Sequence, residues 1–226
     1  MRRWVRIVAC SLLTLLLGLV TRSVAADAAG AASAAKSPAL RPGLPFELRD
    51  RPVLGSDAAG IVVVEVASFK CLHCRAFHEN VFPALRERYI NSGKIQWFVL
   101  NASDDPSDQF AKIFALARCV SRQGKYWEML DSLFELAHRP PSFLEDMIVK
   151  SPKIDSGELD VCLRDRSTRT AVAGDFAQYL KLKLKGTPSF LVWKFSADGQ
   201  RTETIISGAE TLTYFQRVFD ELLKTP

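Results

Sequence analysis

Hydrophobic and polar positions along this chain change period several times, and each change marks an element. Residues 60–69, GIVVVEVASF, form an almost continuous apolar run interrupted by Glu65, the pattern of a strand buried on both faces. From Cys74 the period lengthens: Phe77, Val81 and Leu85 fall on one side of a helix that Pro83 is placed to kink. A second apolar strand, GKIQWFVLN, covers 93–101. Strand, helix, strand predicts a βαβ unit with its two strands parallel. From about 104 to 184 the spacing is helical throughout. Two amphipathic helices flank Gly124, HRPPSF breaks the run, and Ser142 caps a helix bearing Leu144, Met147 and Ile148. Asp155 or Ser156 caps a shorter helix, and a longer one runs to Gly186. TPSFLVWKF and TETIIS then flank SADGQ, an Asp-Gly hairpin signal, and TLTYFQRVFDELLK closes the chain as an amphipathic helix. The order is βαβ, helical block, ββα, with no internal repeat: an α/β domain, starting near Phe46, with a helical insertion.

The composition is that of an ordinary globular chain, 226 residues with 48% hydrophobic and 24% charged. The formal charge of +5 changes meaning once it is located. Arg2, Arg3 and Arg6 precede an apolar stretch from Ile7 to Val20, and small residues follow at once. This is the layout of a secretory signal over 1–25, with the apolar stretch short for a membrane span. An uncleaved anchor is the alternative. Removing the segment takes away Arg2, Arg3, Arg6 and Arg22, leaving 26 Lys and Arg against 25 acids, a net +1. No block of like charge remains to favour nucleic-acid binding. Residues 26–45, rich in Ala, Gly, Ser and Pro, read as a flexible linker.

Cys10 would leave with the signal, and Cys71, Cys74, Cys119 and Cys162 would stay. An even number in an exported chain points to an oxidising compartment. Cys71 and Cys74 allow three readings. A structural metal site wants four ligands, and Cys119 and Cys162 stand singly. A staple between residues three apart constrains the unfolded chain little. A redox pair fits best, because a Cys-x-x-Cys after a buried strand puts the first sulfur at a helix N-terminus, where free N–H groups and the dipole favour a thiolate. His73 between them is expected to add to that stabilisation through its imidazole. Cys119 and Cys162, both on apolar sides of helices, are expected to form a structural disulfide, two buried free thiols being the alternative. His78 reads as a surface residue of its helix, a catalytic part being left open. Trp97, Phe110, Phe114, Trp127 and Phe134 recur at core spacing and read as packing.

EVASFKCLHCRAFHENVFPAL together with GTPSF resembles the DsbA family of exported thioredoxin-fold oxidoreductases, over nearly all of 46–226. The resemblance implies a thioredoxin fold with an all-helical domain inserted between the βαβ and ββα halves. It implies Cys71 as nucleophile, Cys74 as resolving thiol, Glu65 as the acid buried under the site, and Pro188 as a cis-proline preceded by Thr187. No metal or organic cofactor is implied. The substrates would be reduced or unfolded exported proteins in the periplasm, with a DsbB-like membrane partner reoxidising the pair. Leu72 departs from the family, whose members commonly carry proline there, and leaves the potential open. Two rivals remain: a reductase or isomerase of the same fold, and a peptide-binding chaperone with an inert disulfide.

Overall fold

A computed structural model describes residues 48, 51–102, 108–139, 151–196 and 199–224. The expected signal at 1–25, the linker at 26–45 and the helix expected to start at Ser142 lie outside the described residues. Among the described residues no helix is long and apolar enough to cross a membrane.

The chain is built around strand β2 (Ile61–Ala67), buried at every position. It pairs in parallel with β3 (Ile95–Asn101), as the βαβ order predicts, and antiparallel with β4 (Ser189–Phe195). β4 pairs antiparallel with β5 (Arg201–Ser207) across the expected hairpin. A two-residue strand that the pattern did not show, β1 (Val53–Leu54), lies antiparallel to β3 and completes the order β1-β3-β2-β4-β5. Gly55 ends β1 at φ +89, where a Cβ would overlap the Ile95 carbonyl oxygen; glycine is required there.

The alternation of a strand decides what each face of β2 touches. Ile61, Val63 and Ala67 point into the larger core, with Phe77, Leu85, Phe134, Phe215 and Phe219. Val62, Val64 and Val66 point into a second core with Phe98, Leu100, Leu191 and Trp193. Helix α1 (Leu72–Asn80) covers the first face and stops at Val81, where φ is −117°. Pro83 has no N–H to continue α1, and it sits in the first turn of α2 (Phe82–Leu85), where none is needed. A single π-turn, Arg86–Ile90, follows. The predicted kink is thus a full break.

The insertion comprises α3 (Asp108–Arg122), α4 (Tyr126–Leu136), α5 (Ser156–Arg164) and α6 (Arg166–Leu182) among the described residues. Asp155 caps α5 by accepting from the Glu158 N–H at 2.8 Å. α6 ends sooner than expected, at Lys183 in the left-handed region with φ 48, and not at Gly186. Leu182 and Leu184 then both pack against the second core, a two-residue repeat that helical spacing cannot provide. α7 (Leu212–Lys224) closes the chain on the first face through Phe215 and Phe219. Asp175 on α6 accepts from Arg51 at 2.6 Å and from Arg118 at 3.1 Å, tying the insertion to the segment before β1.

Cys119 on α3 and Cys162 on α5 are joined by a disulfide, with Cα atoms 5.7 Å apart and a sequence separation of 43. A loop of that length contributes about 4 kcal/mol in the chain-entropy account. Replacing both cysteines by serine should lower the urea unfolding free energy by roughly that amount, about 4 kcal/mol. A change under about 1 kcal/mol would show that the unfolded chain is not what the bond constrains.

Candidate active site

Cys71 is the N-cap of α1, with φ −84 and ψ 113. Its sulfur accepts from the Cys74 N–H at 3.4 Å and lies 3.2 Å from the Thr187 carbonyl oxygen, to which the thiol donates. It is half-buried, whereas Cys74, one turn into the helix, is fully buried; both are free thiols. The Cys71 pKa is lowered from its ordinary value near 9 to about 5. The largest cause is the Cys74 thiol donating to the Cys71 sulfur, against which partial burial works. The Thr187 hydroxyl and the backbone N–H groups of Cys74 and His73 add to the lowering. Cys74 moves the other way, pushed far up by burial, then by its donation to Cys71, with the charge of Glu65 adding. One turn of helix therefore separates a solvent-facing thiolate from a buried thiol.

The Thr187–Pro188 peptide is cis. The loop lies against Cys71 because β4, which follows it, is the antiparallel neighbour of β2. Pro188 is buried and its carbonyl is taken by the Gly208 N–H at 2.9 Å. Residues 116 apart in sequence thus meet at one sulfur.

Glu65 projects from β2 into the core beneath α1, fully buried. One carboxylate oxygen is 2.8 Å from His78 Nε2 and the other accepts from Trp97 Nε1 at 3.1 Å. Both neighbours correct the sequence reading. His78 is not a surface residue; its side chain is 3% exposed. Trp97 does more than pack. Nearby, Tyr126 on α4 donates to Asn101 Oδ1 at 3.1 Å, and complete burial, then the Glu65 charge, raises its pKa well above the ordinary value. Tyr126 was missed altogether. For His78 and Trp97 the available signal was Glu65 itself: an acid in a strand buried on both faces needs donors, and only the elements covering that face can supply them.

His73 is exposed, and its contribution at Cys71 comes through its backbone N–H. Leu72, beside the nucleophile, is 65% exposed. Phe114 and Phe134 flank Phe69, with ring centroids at 5.7 and 5.3 Å, packing as expected. An accessible low-pKa thiolate, a thiol one turn behind it and a loop facing both can carry out thiol-disulfide exchange.

Comparison with known proteins agrees with this chemistry. A family model described as Thioredoxin matches residues 47–208. "Probable disulfide bond formation protein D" of Bacillus cereus is 30% identical over 156 residues, covering 65% of this chain and 72% of that protein. Disulfide bond formation protein D of Bacillus subtilis is 24% identical over 152 residues, covering 64% of this chain and 68% of that one. Among solved structures, alpha-DsbA1 of Wolbachia pipientis superposes with a TM-score of 0.67 at 23% identity, over 81% of this chain and 96% of that one. Oxidised BdbD from Bacillus subtilis gives 0.63 at 21% identity, over 78% and 94%. These two structures share the fold.

Titrating the dithiol protein while following thiolate absorbance should give one thiolate with a midpoint of about 5 and no contribution from Cys74 in that range. A midpoint near 9 would contradict the geometry. His73→Leu keeps the backbone donor, so Cys71 should still titrate below an ordinary cysteine. Because the folded pKa is depressed, its stabilisation is complete above about 9 and is lost as pH falls through about 5. Unfolding free energy of the dithiol form should therefore rise with pH across that window relative to the disulfide form, which has no such ionisation. Parallel urea titrations of the two forms measure the difference.

Proposed function

This chain belongs to the thioredoxin family, and from that premise we propose that it introduces disulfide bonds into exported proteins through Cys71 and Cys74. The observation that carries the reading is the geometry at Cys71, whose half-buried sulfur caps α1 and accepts from the Cys74 N–H with a buried thiol one turn behind it, an arrangement that lowers its pKa to about 5. A thiolate so stabilised exists only in the reduced form, and stabilising the reduced form makes the disulfide a stronger oxidant.

In the forward reaction a substrate thiolate attacks the Cys71 sulfur of the disulfide. The Cys71–Cys74 bond breaks, a substrate–Cys71 bond forms, and the electron pair leaves on Cys74. A second substrate thiolate then attacks the substrate sulfur of this mixed disulfide, and Cys71 departs as a thiolate. The substrate has lost two electrons and the enzyme has gained them. A sulfur of low pKa is the better leaving group, which places Cys71 as the one released.

In this reading the surrounding residues take part as well. Thr187 and Pro188 form the wall against which a substrate strand docks, with Thr187 contacting the reacting sulfur. His73 supports the thiolate from the helix terminus. Glu65 handles the proton of Cys74. A cleaved signal over 1–25 would deliver the protein to the periplasm, with 26–45 as a tether, and a DsbB-like membrane protein would reoxidise the pair.

Oxidative refolding of a reduced multi-disulfide protein tests this reading. The disulfide form should raise the rate of thiol loss, and Cys71→Ala should abolish the gain; equal activity in Cys71→Ala would favour a chaperone. Failure to oxidise, with efficient reduction of insulin, would favour the reductase. Pro188→Ala should leave attack intact and slow release, so that mixed disulfides accumulate on non-reducing gels. Their absence would remove Pro188 from the site.

A further inference from the structure

The stretch that leads into the Thr187–Pro188 loop is basic and has no acid to offset it. Residues 176–197 carry Lys181, Lys183, Lys185 and Lys194 and no Asp or Glu, although the chain as a whole is close to balanced, with 30 Lys and Arg against 25 acids. Lys194 is engaged, donating to the Leu222 carbonyl at 2.7 Å. Lys181, Lys183 and Lys185 are exposed, and among the described residues none of the three has an ion pair. Lys181 lies in the last turn of α6, where a cation complements the helix dipole. That account does not extend to Lys185, which lies beyond the end of the helix. At Lys183 the backbone is left-handed, with φ 48, where a helix end usually carries glycine or asparagine; no other non-glycine residue among the described ones has a positive φ.

Leu182 and Leu184 decide where these lysines point. Both leucines pack against the second core, so Lys183 and Lys185, between and after them, are turned outward. Just beyond Lys185 the row meets the reacting sulfur. The Thr187 carbonyl oxygen lies 3.2 Å from Cys71 Sγ, and the Ser189 hydroxyl donates to the Gly186 carbonyl at 2.6 Å, so the loop is held on both sides. Measured along the chain, Lys185 and Lys183 are at most about 7 and 14 Å from Thr187. In an extended substrate the second and fourth residues from its cysteine lie about 7 and 13 Å away. The two spacings match.

We propose that Lys181, Lys183 and Lys185 form a docking row for acidic side chains of the substrate strand, so that preferred substrates carry Asp or Glu two to four residues from the cysteine that attacks Cys71. This rests on reading Cys71–Cys74 as the redox pair, with substrate docked at the Thr187–Pro188 loop. Charge complementarity selects the occupant: exposed cations, spaced like alternate residues of an extended chain, end where the substrate cysteine must sit. The lysines are positioning residues. They raise the rate of encounter and hold the bound strand beside the sulfur. The chemical step is unchanged: the substrate thiolate bonds to Cys71, the Cys71–Cys74 bond breaks, and the electron pair leaves on Cys74.

Single-cysteine peptides with Glu or Gln at the second and fourth positions on both sides of the cysteine test this. The rate at which each forms a mixed disulfide with the oxidised full chain is read by acid quench and mass. Flanking charge alters a peptide's own reactivity, but that cancels when the Glu-to-Gln rate ratio is compared between the unsubstituted protein and the triple variant Lys181→Glu, Lys183→Glu, Lys185→Glu. An exposed ion pair changes a rate by about twofold, so reversing three charges should lower the ratio roughly tenfold at low salt. The difference should shrink toward nothing at about 0.5 M salt, where screening acts within about 5 Å. The Gln peptide should react equally with both proteins. Equal ratios in the two proteins, or a difference that salt does not diminish, overturn the proposal. Equal ratios together with lysine-dependent sedimentation on phosphatidylglycerol vesicles would also overturn it and give the row to a membrane surface. A Gln peptide that does not react even with the unsubstituted protein would instead overturn the reading of Cys71–Cys74 as the redox pair.

Discussion

The contrast between a buried thiol and a half-buried sulfur one turn earlier, at the helix N-terminus, is the constraint on which the rest of this structure depends. The Cys74 thiol, as a donor toward the Cys71 sulfur, is the largest cause of the low Cys71 pKa, and it acts so only because the two cysteines sit in opposite environments. Cys74 is fully buried and stays a thiol; Cys71, half-buried at the helix N-terminus, becomes the thiolate. Had both been exposed, either could ionise and water would compete for the bond. The disulfide form contains neither thiolate nor donor, so this stabilisation belongs to one redox state alone.

The fold holds that contrast in place. A strand buried on both faces sets the depth of Cys74, since α1 must lie flat on Ile61, Val63 and Ala67 to cover them. The break at Val81 confines the reactive helix to nine residues, with the Phe77 ring 4.8 Å from Phe190 and 5.4 Å from Phe215. The same sheet delivers Thr187 and Pro188 to the site through β4. The insertion closes the interior from the side, adding Phe134 and Tyr126 to the core around Glu65, and is fastened by the Cys119–Cys162 bond and the Arg51–Asp175–Arg118 contact.

Much of this was legible because the signals are local. The β-branched run of β2, the parallel partner at 95–101, the hairpin and the Cys-x-x-Cys at a strand-to-helix junction each occupy a short window with one dominant period. Placing Pro188 at the site drew on resemblance, since nothing near it in sequence points to Cys71. His78, Trp97 and Tyr126 were misread or missed for one physical reason. Each is an amphipathic side chain whose apolar part fits core spacing, so periodicity alone assigns it to packing or to the surface. Only the demand of Glu65 for donors distinguishes His78 and Trp97, and that demand crosses from β2 to α1 and β3, whereas Tyr126 on α4 answers to Asn101. The end of α6 was misplaced because Leu182 and Leu184 suit a helix by composition, while the left-handed turn at Lys183 between them lets both pack on the second core. β1 was missed because two residues carry no period.

Equilibrating the Cys71–Cys74 pair with glutathione and fixing its potential at neutral pH tests the central claim most directly, namely that reduced-state stabilisation of Cys71 makes this disulfide an oxidant. The account predicts a potential toward the oxidising end of such pairs, above about −180 mV. A value near or below about −270 mV, that of a reducing dithiol, would mean that the Cys71 thiolate is not preferentially stabilised and would contradict the account.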